Sequence, residues 1–290
     1  MIERESNTPL LPPELEREIF LSAVASSKVT ASQLLLIAKR VYHWMLPIMY
    51  KVVICYQGKC PPLESLRRHG EHVRHLLLAP YDTVKHIQTA QLPDVLTFCP
   101  NVRNLALWTG DYDLEQLNAL HRLQLTHLSA DIIQLSRYHN PENGAAAGDN
   151  PTSKDIPRSM DLKITGTRFF SSLTHVDTTA SVENWKECHI LSQLPNLTHV
   201  SFDSASNPKI LEPLLTNCPK LLVVILVQGN DDWDYHAEEV GEDEASNLPV
   251  HDVRVVELSC GFVVDWKAGA NGEMDIWRVG EEVVKRRMRN

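Results

Sequence analysis

The sequence predicts an α/β fold, in which about seven short parallel strands alternate with outer helices behind a small N-terminal helical module. Two observations carry this prediction. Seven segments share one spacing of apolar residues, and all of them lie after residue 70. Residues 9–50 instead contain two stretches with helical spacing of apolar residues. We therefore expect a disordered tail at 1–8, a helical module at 9–50 and a repeat domain at 51–290.

The repeated segments have the pattern h-x-x-h-x-h, where h is apolar or nearly so. The last two h positions are two residues apart, so both side chains point to one side of a short strand. The middle h positions are separated by 29, 23, 48, 24, 24 and 32 residues, and intervals of roughly 20–29 residues are typical of leucine-rich-repeat solenoids. An ordinary doubly wound sheet would not require similar residues in every unit. The seven sets are Val73/Leu76/Leu78, Val102/Leu105/Leu107, Leu125/Leu128/Ala130, Leu173/Val176/Thr178, Leu197/Val200/Phe202, Leu221/Val224/Leu226 and Val253/Val256/Leu258.

Between these strands, the apolar stretches VKHIQTAQLPDVLTF and PKILEPLLTN fit the outer helices. Two insertions explain the longest intervals. Residues 138–158 are rich in Pro, Gly, Asn and Ala without apolar periodicity, which predicts a disordered loop. Residues 229–249 include a stretch, 231–244, with eight acidic residues and no Lys or Arg, which predicts a solvated loop. The rest of the chain has 29 acidic and 28 basic residues, so charge gives no support for nucleic-acid binding.

The N-terminal module is predicted to contain two helices. In the first, Leu15, Ile19 and Ala23 form one apolar stripe, adjoined by Phe20 and Val24. The second is predicted to be capped by Thr30 or Ser32 and to end or kink at Pro47. Its helically spaced apolar residues are Leu34, Ile37, Ala38, Val41, Trp44, Met45 and Ile48. The alternating run MYKVVICY that follows predicts a first strand.

The stretches LPPELEREIF at 11–20, LLLIAKRVYHW at 34–44 and the following Tyr-Lys-Val-Val resemble an F-box. The whole chain resembles the F-box-like leucine-rich-repeat proteins that are abundant in mushroom-forming fungi. That resemblance implies a module that docks on the Skp adaptor of a cullin–RING ubiquitin ligase, and repeats that capture a protein substrate. The residues that it assigns to the adaptor are Leu11, Pro12, Leu15, Ile19, Phe20, Leu35, Val41 and Trp44.

An alternative is a ligase-independent interaction scaffold, in which the N-terminal helices only cap the open end of the repeats. The two hypotheses differ in a simple expectation. Leu11, Leu15 and Ile19 should remain at least partly uncovered if they bind an adaptor, whereas a cap would bury them.

Residues beside the middle h position of each repeat are expected on the concave face of the sheet, where a protein partner would bind. We predict His75, Asn104, His127, His175, Asp177, His199, Ser201 and Glu257 for this face. His127, His175 and His199 would form a row in consecutive units. A flat row does not converge tetrahedrally, so we expect no metal site there.

No catalytic motif is present: there is no P-loop, dinucleotide-binding, zinc-protease or nucleophile-elbow signature, so we expect a protein that is not an enzyme and has no cofactor. The N-terminus lacks the apolar region of a signal peptide and no stretch is long enough to cross a membrane, so we expect a cytoplasmic or nuclear protein. The six cysteines are irregularly spaced and are expected to be reduced. The last stretch, IWRVGEEVVKRRMRN, predicts a C-terminal capping helix.

Overall fold

A computed structural model describes most of the chain and divides it into two compact units, 1–51 and 52–290. The described residues are 11–26, 33–56, 59–79, 91–108, 114–132, 134–135, 168–178, 182–183, 185–203, 207–229, 237–239 and 252–289. The predicted tail at 1–8, the predicted loop at 138–158 and the two predicted cap residues, Thr30 and Ser32, lie outside this part of the chain.

Among the described residues of the N-terminal unit, two helices have defined bounds, α1 at Pro13–Ser26 and α2 at Lys39–Met49. Pro13 suits the first turn, where its missing N–H costs little, and Glu14 and Glu16 favour the positive end of the helix dipole. The second predicted helix is interrupted: residues 33 and 34 are helical, residues 35–37 form a turn, and α2 begins at Lys39 after an extended Ala38. The helix does not end at Pro47, because it continues to Met49.

The second unit is a nine-stranded sheet with helices between most of its strands. The strands follow one another in chain order from β1 to β7, then β9 and β8. Every neighbouring pair is parallel except β8 with β9, which is antiparallel. The strands are β1 (Val52–Cys55), β2 (His75–Leu78), β3 (Asn104–Leu107), β4 (His127–Ala130), β5 (His175–Thr178), β6 (His199–Asp203), β7 (Val223–Gly229), β8 (Glu238–Glu239) and β9 (Val255–Cys260).

The helices of this unit are short except for the last two. In the described part of the unit, the helices with defined bounds are α3 (Leu63–His69), α4 (Leu92–Phe98), α5 (Leu114–Leu120), α6 (Arg168–Ser171), α7 (Trp185–Cys188), α8 (Leu211–Asn217), α9 (Phe262–Asn271) and α10 (Ile276–Arg287). Short 3₁₀ turns lie at Gly70–His72, His189–Gln193 and Pro208–Ile210. The helices predicted from the two apolar connecting stretches are therefore present as α4 and α8, and the predicted first strand is present as β1.

The repeated apolar pattern explains the strands. In the first six predicted units, all three h positions are buried, and the last two lie on the same side of a strand. Neighbouring strands pair with these positions in register, for example Leu76 with Leu105 and Leu105 with Leu128. Each unit thus contributes one row of a continuous core, which a single unit could not bury alone.

The seventh unit is shifted by one residue relative to the prediction. Val224 pairs with Val255, and Leu226 pairs with Glu257. Because side chains alternate along a strand, this shift moves Glu257 to the face of the sheet opposite the one predicted. Val253, predicted as an apolar core position, is 44% exposed.

Two further expectations need correction. The acidic stretch at 231–244 is not loop throughout, because Glu238 and Glu239 form β8. Glu238 pairs with Ser259 of β9, and Glu239 pairs with Leu258. The cysteines are not all reduced, since Cys55 and Cys60 are joined by a disulfide. The four other cysteines are free and buried. None of the helices in the described ranges is long and apolar enough to span a membrane.

The C-terminal helices do not simply cap the end of the sheet. Strand register places His75, Asn104, His127, His175 and His199 on one side, which we call the histidine face. Helix α9 packs on this face through Phe262, Val263 and Trp266, against Leu77, Ala106 and Trp108. Helix α10 packs on it through Ile276, Val283 and Val284, against Val223, Ile225 and Val256. The chain itself therefore covers much of the face predicted to be open.

Candidate interaction surfaces

In the N-terminal unit, α1 leaves most of its predicted apolar stripe in solvent. Leu15 is 50% exposed and Ile19 is 55% exposed, and Leu11, just before the helix, is 44% exposed. Pro12 is exposed as well. Burying such exposed apolar side chains on a partner is favourable by about 25 cal/mol for each Å² of surface removed from water. These four residues were all assigned to adaptor binding by sequence.

The opposite side of α1 forms the core of this unit. Val24, Val41 and Met45 are buried, and Phe20, Leu35 and Trp44 are partly buried against them. The rings of Phe20 and Trp44 lie 6.5 Å apart. Val41 is 0% exposed, so it supports the unit from inside and cannot touch a partner in this conformation, contrary to its assignment.

Sequence reasoning missed two exposed residues in the turn before α2. Leu36 is 88% exposed and Ile37 is 60% exposed. Ile37 had been counted as part of the apolar side of the second helix, but residues 35–37 form a turn instead. The spacing of apolar residues predicted a helix here, so the exposure of these two side chains could not be predicted without the backbone structure.

A charged pair joins the two helices. Arg40 donates to both carboxylate oxygens of Glu16, at 2.9 and 2.6 Å. This hydrogen bonding lowers the pKa of Glu16. The bidentate geometry fixes the start of α2 against the first turns of α1, only three residues from Ile19.

On the histidine face of the second unit, three imidazole rings form a stack. The ring centroids of His127 and His175 are 4.0 Å apart, and those of His175 and His199 are 4.1 Å apart. The planes are tilted by 14° and 7° respectively. Trp277 of α10 meets His175 and His199 edge-on, with centroids at 5.2 and 5.9 Å. The row of histidines predicted from the repeats is therefore present, but His199 is only 3% exposed.

The threonine before each histidine orients its ring. The hydroxyl groups of Thr126, Thr174 and Thr198 lie 3.2, 3.0 and 3.1 Å from the backbone carbonyl oxygens of the residues just before the preceding strand. Each hydroxyl oxygen also lies 2.8 to 2.9 Å from Nδ1 of the next histidine, and which of the two atoms donates depends on the tautomer of the ring. The repeated Thr-His pair thus places a hydroxyl group at the same position beside each ring.

Burial keeps these rings neutral. Burial, together with the neighbouring histidines, lowers the pKa of His127 to about 4 and that of His175 to about 2. The pKa of His199 is also lowered by burial, although Glu281 of α10 acts in the opposite direction. His199 Nε2 lies 3.3 Å from Glu281 Oε1, so a proton on Nε2 would face this carboxylate.

Between the histidine face and α9 and α10 lies a small cleft of about 40 Å³, which we call the tryptophan cleft. Its aromatic walls are Trp108, Trp266, Trp277 and Phe262. Trp108 Nε1 donates to Ser129 Oγ at 2.7 Å, and Trp266 Nε1 donates to Asn104 Oδ1 at 3.1 Å. Both indoles are thus held by strand residues.

Three carboxylates line the same cleft: Asp177, Asp265 and Asp275. Asp177 accepts from the hydroxyls of Ser129 and Ser201, at 2.5 and 2.9 Å. Asp265, which is 6% exposed, accepts from the backbone N–H of Ile276 at 2.8 Å through Oδ1. Burial raises the pKa of Asp177 and raises that of Asp265 well above its usual range.

The predicted members of the partner-binding face are thus divided. His75, Asn104, His127, His175 and Asp177 lie on the histidine face and are partly buried, and His199 and Ser201 lie there but are buried. Glu257 lies on the other side, where it accepts from Gln228 Nε2 at 2.6 Å. Among the described residues, no group of three or more His, Cys, Asp or Glu is arranged to hold a metal ion.

Comparison with known proteins adds no family. A scan against models of protein families finds no match, and a search of curated proteins finds none either.

Proposed function

We propose that this protein is the substrate-recognition subunit of a Skp–cullin–F-box ubiquitin ligase. The N-terminal unit binds the Skp adaptor, and the second unit binds a protein substrate. The observation that supports this most is the exposure of Leu15 and Ile19 on α1, and of Leu11 just before it, while Val24 and Phe20 of α1 pack against α2. The proposal also uses the resemblance of residues 11–20 and 34–44 to an F-box.

The physical argument concerns which side of α1 is already used. Val24 and the partly buried Phe20 give α1 its contact with α2, and this contact does not need Leu15 or Ile19. Burying two such side chains on a partner is worth about 1.5 to 3 kcal/mol each. The exposed stripe therefore suits an apolar groove on an outside protein, and an F-box surface has this character by resemblance.

The test uses co-purification of the full chain with a Skp adaptor, compared with the variant Leu15→Asp/Ile19→Asp. Because both side chains are exposed, the variant should keep its melting temperature within a few degrees and lose the adaptor. Leu222→Asp is the matched control, since Leu222 is equally exposed, at 55%, but lies in the second unit.

Two outcomes would reject the proposal. The first is that the intact protein fails to bind the adaptor under conditions where ordinary F-boxes do, which would favour the scaffold alternative. The second is that the double variant binds as well as the intact chain, which would mean that the exposed stripe is not the binding surface.

A further inference from the structure

The tryptophan cleft combines aromatic walls with buried carboxylates that have no cationic partner. Neither Asp177 nor Asp265 forms an ion pair with a Lys or Arg of the described residues. Buried carboxylates are normally paired, because removing a charge from water costs several kcal/mol. Here the charged lining residues are all acidic.

We propose that the tryptophan cleft binds the ammonium group of an organic cation between Trp108, Trp266 and Trp277, with Asp265 and Asp177 as its counter-ions. Burial raises the pKa of Asp265 well above its usual range, and a cation in the cleft favours the ionised form of this carboxyl group. The proposal does not depend on adaptor binding, because all of its residues belong to the second unit.

Asp265 gives the most direct sign of an unfilled site. The side chain is more than nine-tenths buried, yet only Oδ1 accepts a hydrogen bond from the described residues, and Oδ2 accepts none. The Oδ1 contact already fixes the carboxylate to the start of α10. Oδ2 is therefore available to accept from a ligand donor in the cleft.

The aromatic walls are consistent with the same ligand. The face of a tryptophan ring attracts a cation within about 6 Å, with a gain of about 2 kcal/mol when the site is desolvated. Trp108 is 7% exposed and donates a hydrogen bond to Ser129, and Trp266 donates one to Asn104. Both rings are therefore already fixed in place before a ligand binds. Such preorganisation reduces the entropic cost of association.

The chemistry selects an ammonium over other cations. A guanidinium binds best to a carboxylate with both oxygens available, whereas Asp265 has one and both oxygens of Asp177 already accept from serine hydroxyls. A divalent metal ion needs several converging oxygen ligands, and the described residues contain no such group. A cavity that holds benzene has a volume of about 150 Å³, so a cleft of about 40 Å³ admits only a small head group such as methylammonium.

The shared chemistry has two sources, a free small amine or a methylated lysine side chain of a protein. Calorimetric titration of the full chain with methylammonium chloride tests the free cation, and methanol is the uncharged control of similar size. A short peptide that bears one monomethyllysine tests the protein source. Saturable binding of methylammonium, at least tenfold tighter than any binding of methanol, is expected.

The variant Asp265→Asn should weaken this binding at least tenfold, since the amide oxygen still accepts from Ile276 but the charge is gone. If that variant does not fold, Asp177→Asn provides the same test. Glu212→Gln is the control, because Glu212 is an exposed carboxylate on α8 and should leave binding unchanged.

Binding of the peptide as well would assign a protein side chain as ligand, and binding of the free cation alone would assign a small amine. Absence of saturable cation binding would overturn the proposal. Equal binding of methanol, or undiminished binding in the aspartate variants, would overturn it as well.

Discussion

At the scale of single residues, the Thr-His pair that is repeated in three consecutive units produces a stack of three histidine rings. Each threonine hydroxyl lies between a backbone carbonyl of the preceding unit and Nδ1 of the next histidine. Because the strands of consecutive units pair in register, three copies stack three rings at about 4 Å. Trp277 then covers two of the rings from α10.

The stack of neutral histidines predicts that the protein becomes less stable as the pH is lowered. A histidine whose pKa is lowered by folding binds its proton more readily when unfolded, so acid favours the unfolded state. The loss begins below the unfolded pKa of about 6.5 and continues towards the folded values of about 4 for His127 and about 2 for His175. Within this window each such histidine costs up to about 1.4 kcal/mol per pH unit.

Urea unfolding between pH 7.5 and 5 measures this effect. The variant His175→Phe keeps an aromatic ring at the centre of the stack but cannot take a proton, so its unfolding free energy should depend less steeply on pH. The raised pKa values of Asp177 and Asp265 act in the opposite direction, and comparison of the two slopes removes their contribution. Identical slopes would mean that His175 is not buried as a neutral ring.

At the scale of elements, the covering of the histidine face by α9 and α10 is the main feature beyond the repeats. Gly280 allows α10 to approach the sheet closely, since a Cβ at this position would lie 3.0 Å from Val223 Cγ1 and 3.1 Å from Ile225 Cδ1. The absence of a side chain here, and not backbone conformation, is what the packing requires.

Replacing Gly280 with valine should therefore destabilise the second unit by about 1 to 3 kcal/mol, the usual cost of overpacking a core. Thermal or urea unfolding gives the value. Glu282→Val is the matched control on the same helix, because Glu282 is exposed, and it should change stability by less than about 0.5 kcal/mol. Equal effects of the two changes would contradict the close packing of α10.

The element scale also shows what local sequence could and could not predict. Strands β2 to β7 follow from apolar positions within six residues of one another, so their existence and faces could be predicted. In β9 the run Val-Arg-Val-Val-Glu-Leu is apolar at positions on both faces, so its register was ambiguous and Glu257 was assigned to the wrong side. The start of α2 was missed because Leu34 and Ile37 have helical spacing, although residues 35–37 form a turn.

The covered histidine face could not be predicted for a different reason. The hydrogen bond from Trp266 to Asn104 joins residues that are 162 apart in sequence, and no periodic pattern encodes it. The tryptophan cleft exists only because of that packing. Sequence therefore identified His127 and Asp177 as members of one face, but not the indoles that enclose them.

At the scale of the whole molecule, the two compact units offer two different kinds of surface. The first exposes apolar side chains on a helix and has a separate core of its own. The second has a parallel sheet whose histidine face is largely closed by its own helices, with one small acidic and aromatic cleft. A substrate-recognition subunit needs both a constant surface for a ligase and a selective one for a substrate, and the proposal assigns one to each unit.

Direct titration of the purified full chain with a purified Skp adaptor tests the central claim most directly. We predict binding at one site per chain, unchanged by Leu222→Asp and lost in Leu15→Asp/Ile19→Asp. No binding of the intact chain, at adaptor concentrations that saturate an ordinary F-box protein, would contradict the assignment of this protein to a ubiquitin ligase.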